Sequence, residues 1–131
     1  LAEKESALKA EKTAADIKRA VTHMSGKMRV GAGTVTTVRE LMLASGAGAE
    51  FIISPNTDPL IIGQTKQFGM ISIPGAFTPS EVVAAEQAGA DYVKLFPVSS
   101  LGPEYVKSIL APLNCVKLLA VGGVSREDTG K

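Results

Sequence analysis

Ala88-Gly89-Ala90-Asp91-Tyr92-Val93-Lys94-Leu95-Phe96-Pro97 is the stretch whose reading decides the fold. Its glycine stops a preceding helical segment. The run 92–96 is rich in β-formers and apolar apart from one lysine, and its proline, which has no N–H for a ladder, ends it. The first half of this pattern occurs twice. Ala47-Gly48-Ala49-Glu50-Phe51-Ile52-Ile53 matches Ala88-Gly89-Ala90-Asp91-Tyr92-Val93-Lys94. The repeat spans two units of roughly 20 residues each, within the range of a strand-plus-helix module.

Working outward, the same punctuation recurs along the chain. Short β-type runs fall at 28–30, 51–53, 70–73, 92–96 and 116–121, ending at Gly31, Pro55, Pro74, Pro97 and Gly122. Helical composition fills 38–43, 59–67, 80–87 and 104–110. Helix starts are marked by Thr36/Thr37, Thr57/Asp58, Thr78 with Glu81, and Ser125 with Glu127-Asp128; stops are marked by Gly46/Gly48, Gly69 and Gly89. A further helix precedes them, with Ala14, Ile17, Ala20, Val21 and Met24 as its apolar stripe and Gly26 as its end. The charges ahead of that stripe, from Glu3 to Lys12, read as a solvated helical face.

Alternating strands and helices imply right-handed βαβ units and a parallel sheet. Nearly continuous apolar strands predict a sheet covered on both faces. Short, equal units suit a (β/α) barrel better than a doubly wound sheet. Five strands, however, fall short of an eight-stranded barrel, which needs about 200 residues or more. An open five-stranded arc would leave two unpaired edges. The expectation is therefore an α/β chain, one domain over 1–131, forming part of a (β/α)8 TIM barrel: a leading helix over 1–26, then βα units over 27–131.

The composition narrows the function classes. Lys+Arg 14 against Asp+Glu 13 gives a net charge of +1 over 131 residues, without the basic excess that nucleic acid or an anionic membrane surface requires. A single cysteine excludes an internal disulfide and a cysteine-built zinc site. The apolar runs are too short to span a bilayer, and the polar opening Leu1-Ala2-Glu3-Lys4-Glu5 is no secretory signal. A reducing, aqueous compartment, cytoplasmic by default, is expected; because Leu1 is not an initiator Met, an organelle such as a plastid stays open.

Lys94 is the most informative candidate. Strand alternation puts Val93 and Leu95 on one face and Tyr92, Lys94 and Phe96 on the other, which in a barrel is the lumen. Desolvation there lowers an amine's pKa and makes it a carbonyl nucleophile able to form a Schiff base. It lies near the carboxyl end of its strand, where barrel active sites are built. The competing reading is a lumen lysine paired with a carboxylate as a strut. Lys117, at the start of its strand, reads as structural.

Gly122-Gly123 between a strand and a helix start can let backbone amides approach a phosphate, or can simply make a tight turn. Gly31-Ala32-Gly33-Thr34 is no dinucleotide loop, because Thr36 stands where the third glycine is needed. Thr34 can hydrogen-bond a small carboxylate or cap the next helix. The prolines of Ser54-Pro55-Asn56 and Ile73-Pro74-Gly75 lie at the same rim or merely stop strands. His23, with no second histidine, and Cys115, with no thiol partner, read as structural, and no metal site is expected.

Val30-Gly31-Ala32-Gly33-Thr34-Val35, Ile53-Ser54-Pro55, Ile73-Pro74-Gly75, Val93-Lys94-Leu95-Phe96-Pro97 and Val121-Gly122-Gly123-Val124-Ser125 follow in this order at barrel spacing. Together they resemble the 2-keto-3-deoxy-6-phosphogluconate / 4-hydroxy-2-oxoglutarate aldolase family. The resemblance implies a (β/α)8 barrel, usually trimeric, performing class I chemistry on a small keto acid without metal or cofactor. It implies Lys94 as the Schiff-base lysine for pyruvate, with Thr34 and Pro55 lining the pyruvate pocket and Phe96 packed beside the imine. It assigns the substrate phosphate to Gly122 and Gly123. The family's acid/base glutamate and carboxylate-binding arginine belong to the second strand, ahead of Leu1, which makes this chain the third to seventh strands. Two departures bear on substrate choice: Val121 stands where many members carry Thr, and Val98-Ser99-Ser100 follows Pro97 where some carry Ala-Glu. Two other readings remain, an inactive aldolase-like subunit of a larger assembly and a phosphate-binding barrel that forms no imine.

Overall fold

The alanine-rich, charge-flanked leader forms helix α1 (Ala2–Met24) in the structure, a computed structural model that describes residues 2–128. Ala10 and Ile17 bury its apolar stripe against the chain's first core, and Val21 packs at the edge of that core, over Gly48. Met24, expected to continue the stripe, is 39% exposed because the helix outruns the elements it packs on. Lys9, Glu11 and Lys12 are exposed as predicted, and Glu11 pairs with Arg39 at 3.0 Å across to the next helix.

The remaining order is α2 (Val38–Gly46), β1 (Phe51–Ile53), α3 (Pro59–Gln67), β2 (Ile71–Ile73), β3 (Gly75–Ala76), α4 (Pro79–Gln87), β4 (Val93–Leu95), α5 (Gly102–Leu110) and β5 (Leu118–Ala120). Every pairing is parallel: β1 with β2, then β3 with β4 and β4 with β5. The 71–76 stretch joins the two sheets. Its first half pairs with β1, and its Pro74 and Ala76 carbonyls accept Lys94 N–H and Phe96 N–H from the β4 segment. Ser72 O accepts Asp91 N–H on that same side, so alternate carbonyls of one continuous segment serve the two neighbours.

One expectation is corrected here. The run 28–30 is not a strand: Val30 O accepts Glu50 N–H at 2.8 Å, but the parallel bridge to β1 forms at Ala32, opposite Ile52. Glycines at 31 and 33 flank that bridge, and Gly31 lies under the Phe51 ring, so a regular ladder does not propagate. Ile52, Ser72, Ala76, Val93 and Leu95 are buried beneath the helices, whereas Phe51, Ile53, Ile71, Ile73, Lys94 and Phe96 on the opposite face keep partial exposure, with Leu119 at 39%.

Two clusters make up the core. Ile17, Leu41, Ala44, Ile52 and Ile61 form the first, and Ile62, Val82, Ala85, Val93, Leu95 and Ile109 the second. Adjacent residues of α3 serve different clusters, which is why that helix shows little one-sided patterning.

The helix starts follow the cap signals. Thr37 and Thr78 each cap with a glutamate three residues on, forming reciprocal boxes, and Asp58 accepts Leu60 N–H at 2.9 Å. Ser125 donates its hydroxyl to Asp128 at 2.7 Å in a turn; whatever helix this opens lies outside the described residues. Glu81 sits below the usual carboxylate range, chiefly because Phe77 N–H donates to it, then the Thr78 hydroxyl and N–H. Its contribution is full above the ordinary glutamate value and is lost as pH falls through the lowered one. Thr78→Ala is expected to cost about 1 kcal/mol, read as a shifted denaturant midpoint at neutral pH.

Candidate active site

Lys94 occupies the middle of β4, held in register between Gly75 on one side and Leu119 on the other. Val93 and Leu95 anchor the strand in the core, so alternation leaves the lysine no direction but the open face. Its Nζ lies 4.4 Å from the centroid of the Phe96 ring two residues on, an i, i+2 neighbour on the same face. Burial lowers the amine's pKa, since the charged form loses hydration that the ring's quadrupole replaces only in part. The strut alternative finds no support among the described residues, where no ion pair includes Lys94.

Phe96 also touches the glycine turn. Gly122 has φ +91°, and a Cβ there would come within 3.2 Å of the Phe96 ring; Gly123 has φ +74°, and its Cβ would fall 2.3 Å from Ser99 Cβ. Both conformations favour glycine, and the contacts leave no room for a side chain. The turn after β5 therefore presents bare backbone to the rim that carries Lys94. Pro55 reaches the same rim from β1. Its carbonyl lies where a Gly75 Cβ would be, 2.3 Å away, and Gly75 is the register partner of Lys94.

Lys94, Phe96, Gly122 and Pro55 are thus linked contact by contact. Thr34 stands apart, at φ +59°, exposed, in a groove of about 420 Å³ between α1 and the 32–36 segment that holds none of the other candidates. The helix-capping role open to it belongs to Thr37 instead. Gly123 faces an outer groove of about 450 Å³ alongside Val106, Leu110 and Val124.

The opposite end of the strands carries the residues read as structural. Asp91 pairs with Lys66 at 2.7 Å and accepts Ser72 N–H at 2.8 Å; burial raises its pKa, but these bonds outweigh it and the net shift is downward. Lys117 lies over the Tyr92 ring at 5.6 Å, consistent with a stabilising place. Cys115 is exposed, 3.8 Å from Glu86, and among the described residues no cluster of His, Cys, Asp or Glu is suited to a metal. Among the same residues no helix is long and apolar enough to cross a membrane.

One group escaped the sequence reading. Thr57, read only as part of a helix start, donates its hydroxyl to Gly75 O at 2.7 Å. Nothing in the local pattern announces this bond; it follows from the register of two strands.

Parallel strands returned by helices, with a half-buried amine at the centre of one strand, are the build of barrel aldolases, and the chain belongs to the KDPG and KHG aldolase family, whose profile matches residues 3–131. It is 42% identical over 97 residues to a probable 2-dehydro-3-deoxy-6-phosphogalactonate aldolase of Rhizobium meliloti (strain 1021), covering 73% of this chain and 46% of that one. A solved structure described as native KDPGal superposes with a TM-score of 0.81 at 35% identity, over 85% of this chain and 54% of its own. KDPG aldolase from Legionella pneumophila, with pyruvate captured at low pH as a covalent carbinolamine intermediate, superposes at 0.80 with 25% identity, over 87% and 55%. The chain spans about half the length of the curated relatives it matches.

Proposed function

We propose that this chain supplies the third to seventh strands of a (β/α)8 barrel that cleaves a 2-keto-3-deoxy-6-phospho sugar acid, or 4-hydroxy-2-oxoglutarate, to pyruvate and an aldehyde. The observation that carries this reading is the Lys94 amine, half-buried over Phe96 with its pKa lowered by burial. A partly neutral amine adds to the substrate's C2 ketone to give a carbinolamine, and loss of water leaves an iminium. When the C3–C4 bond breaks, its electron pair flows into the iminium, giving an enamine and the aldehyde. Protonation at C3 and hydrolysis then release pyruvate and restore the amine. By resemblance to the family, the proton-moving carboxylate is a glutamate of the barrel's second strand.

Pro55 and Thr34 line the pyruvate pocket, Phe96 shields the imine, and Gly122 with Gly123 receive the phosphate. The assembly is a homotrimer, working in the cytoplasm, with no cofactor. The test is borohydride reduction of the intact protein in the presence of pyruvate, followed by peptide mass analysis. A reduced adduct on Lys94 is expected. An intact protein left unmodified there would instead fit an inactive subunit.

A further inference from the structure

We infer that Thr57 is a positioning residue for the pyruvate pocket, acting through Pro55; the inference rests on the aldolase reading above. The β1–β2 ladder stops short at Pro55. Ser54 N–H donates to Ile73 O at 3.2 Å, and parallel pairing would next send the N–H of residue 56 to Gly75 O. Pro55 turns the chain away before that bond can form. The Thr57 hydroxyl takes its place, donating to Gly75 O at 2.7 Å in a part-buried setting.

The neighbouring carbonyls, Pro74 O and Ala76 O, point the other way and accept Lys94 N–H at 2.8 Å and Phe96 N–H at 3.0 Å. One short segment therefore receives the Pro55 turn on one side and the lysine strand on the other. Pro55 O is seated against the bare Cα of Gly75, a contact with no side chain to steer it. Its place relative to Lys94 is then set by the Thr57 bond and by the Asp58 cap that follows it. Thr57 itself need not touch substrate.

The experiment compares Thr57→Val and Thr57→Ser with the parent in the intact protein, measuring pyruvate-dependent borohydride trapping at Lys94. Thr57→Val keeps the shape and loses the donor, so half-saturation by pyruvate is expected to rise about tenfold while the trapping rate at saturation stays within about twofold. Thr57→Ser keeps the donor and should match the parent on both. A Thr57→Val protein that binds pyruvate as the parent does overturns the inference while leaving the aldolase reading intact. So does a Thr57→Ser protein that loses binding with its hydroxyl in place, an arm that holds even if Thr57→Val does not fold. A parent that shows no trapping overturns the aldolase reading, and the inference with it.

Discussion

Lys94→Met is expected to abolish pyruvate trapping and to reduce retro-aldol turnover of the intact protein by on the order of 10³-fold or more, since it removes the amine that forms the imine. Lys94→Arg should be equally inactive. A guanidinium keeps the positive charge but stays protonated and cannot condense with a ketone. The pair of variants separates the two roles a lumen lysine can have. A strut tolerates arginine, whereas a nucleophile tolerates neither substitution. Activity retained in Lys94→Arg would remove Lys94 from the mechanism.

The direction of the Lys94 shift adds a pH signature. Burial lowers this pKa, so trapping should rise with pH and level off below the ordinary lysine value. Stability follows the opposite logic from a paired lysine. The folded state binds the Lys94 proton less tightly than the unfolded chain does, so the charged amine destabilises the fold below its lowered pKa. That penalty fades as pH climbs from the lowered value to the ordinary one. Lys94→Met should accordingly melt higher than the parent at neutral pH, with the gap closing under alkaline conditions. A constant gap across that interval would mean that Lys94 titrates as a free lysine.

What could be read from the sequence was set by range. Thr37 with Glu40 and Thr78 with Glu81 are three residues apart, and their reciprocal caps form from local chemistry alone. Val93, Lys94 and Leu95 alternate faces because a strand must, so the lysine's outlook was legible from its neighbours. Contacts across the fold were less so. The 28–30 run has β-type residues, yet Val30 contributes one carbonyl, to Glu50 N–H, and the bridge proper forms at Ala32, past Gly31 beneath the Phe51 ring. Met24 satisfied the helical period yet found nothing opposite it. Thr57 was invisible because its partner is the carbonyl of Gly75, 18 residues away.

Gly75→Ala should be the most damaging conservative change outside Lys94 itself. The added methyl would sit 2.3 Å from Pro55 O, 2.5 Å from Pro55 C and 2.9 Å from Ser54 O. All three are backbone atoms, so no rotamer change relieves the overlap, and either the Pro55 turn or β3 must move. Overpacking of this kind costs about 3 kcal/mol, equivalent to a melting temperature lower by about 10 °C in a domain of this size. Either displacement also reaches the site, because Gly75 is the register partner of Lys94 and accepts the Thr57 bond. Pyruvate trapping should therefore weaken even in the fraction that folds. Gly63→Ala is the matched control: that glycine lies within α3 with nothing within 4 Å of its Cβ position, so alanine should stabilise by about 0.5–1 kcal/mol and leave trapping unchanged. If Gly75→Ala behaved like Gly63→Ala, the Pro55 turn would not be seated on β3, and the chain of contacts from Pro55 to Lys94 would be broken at its first link.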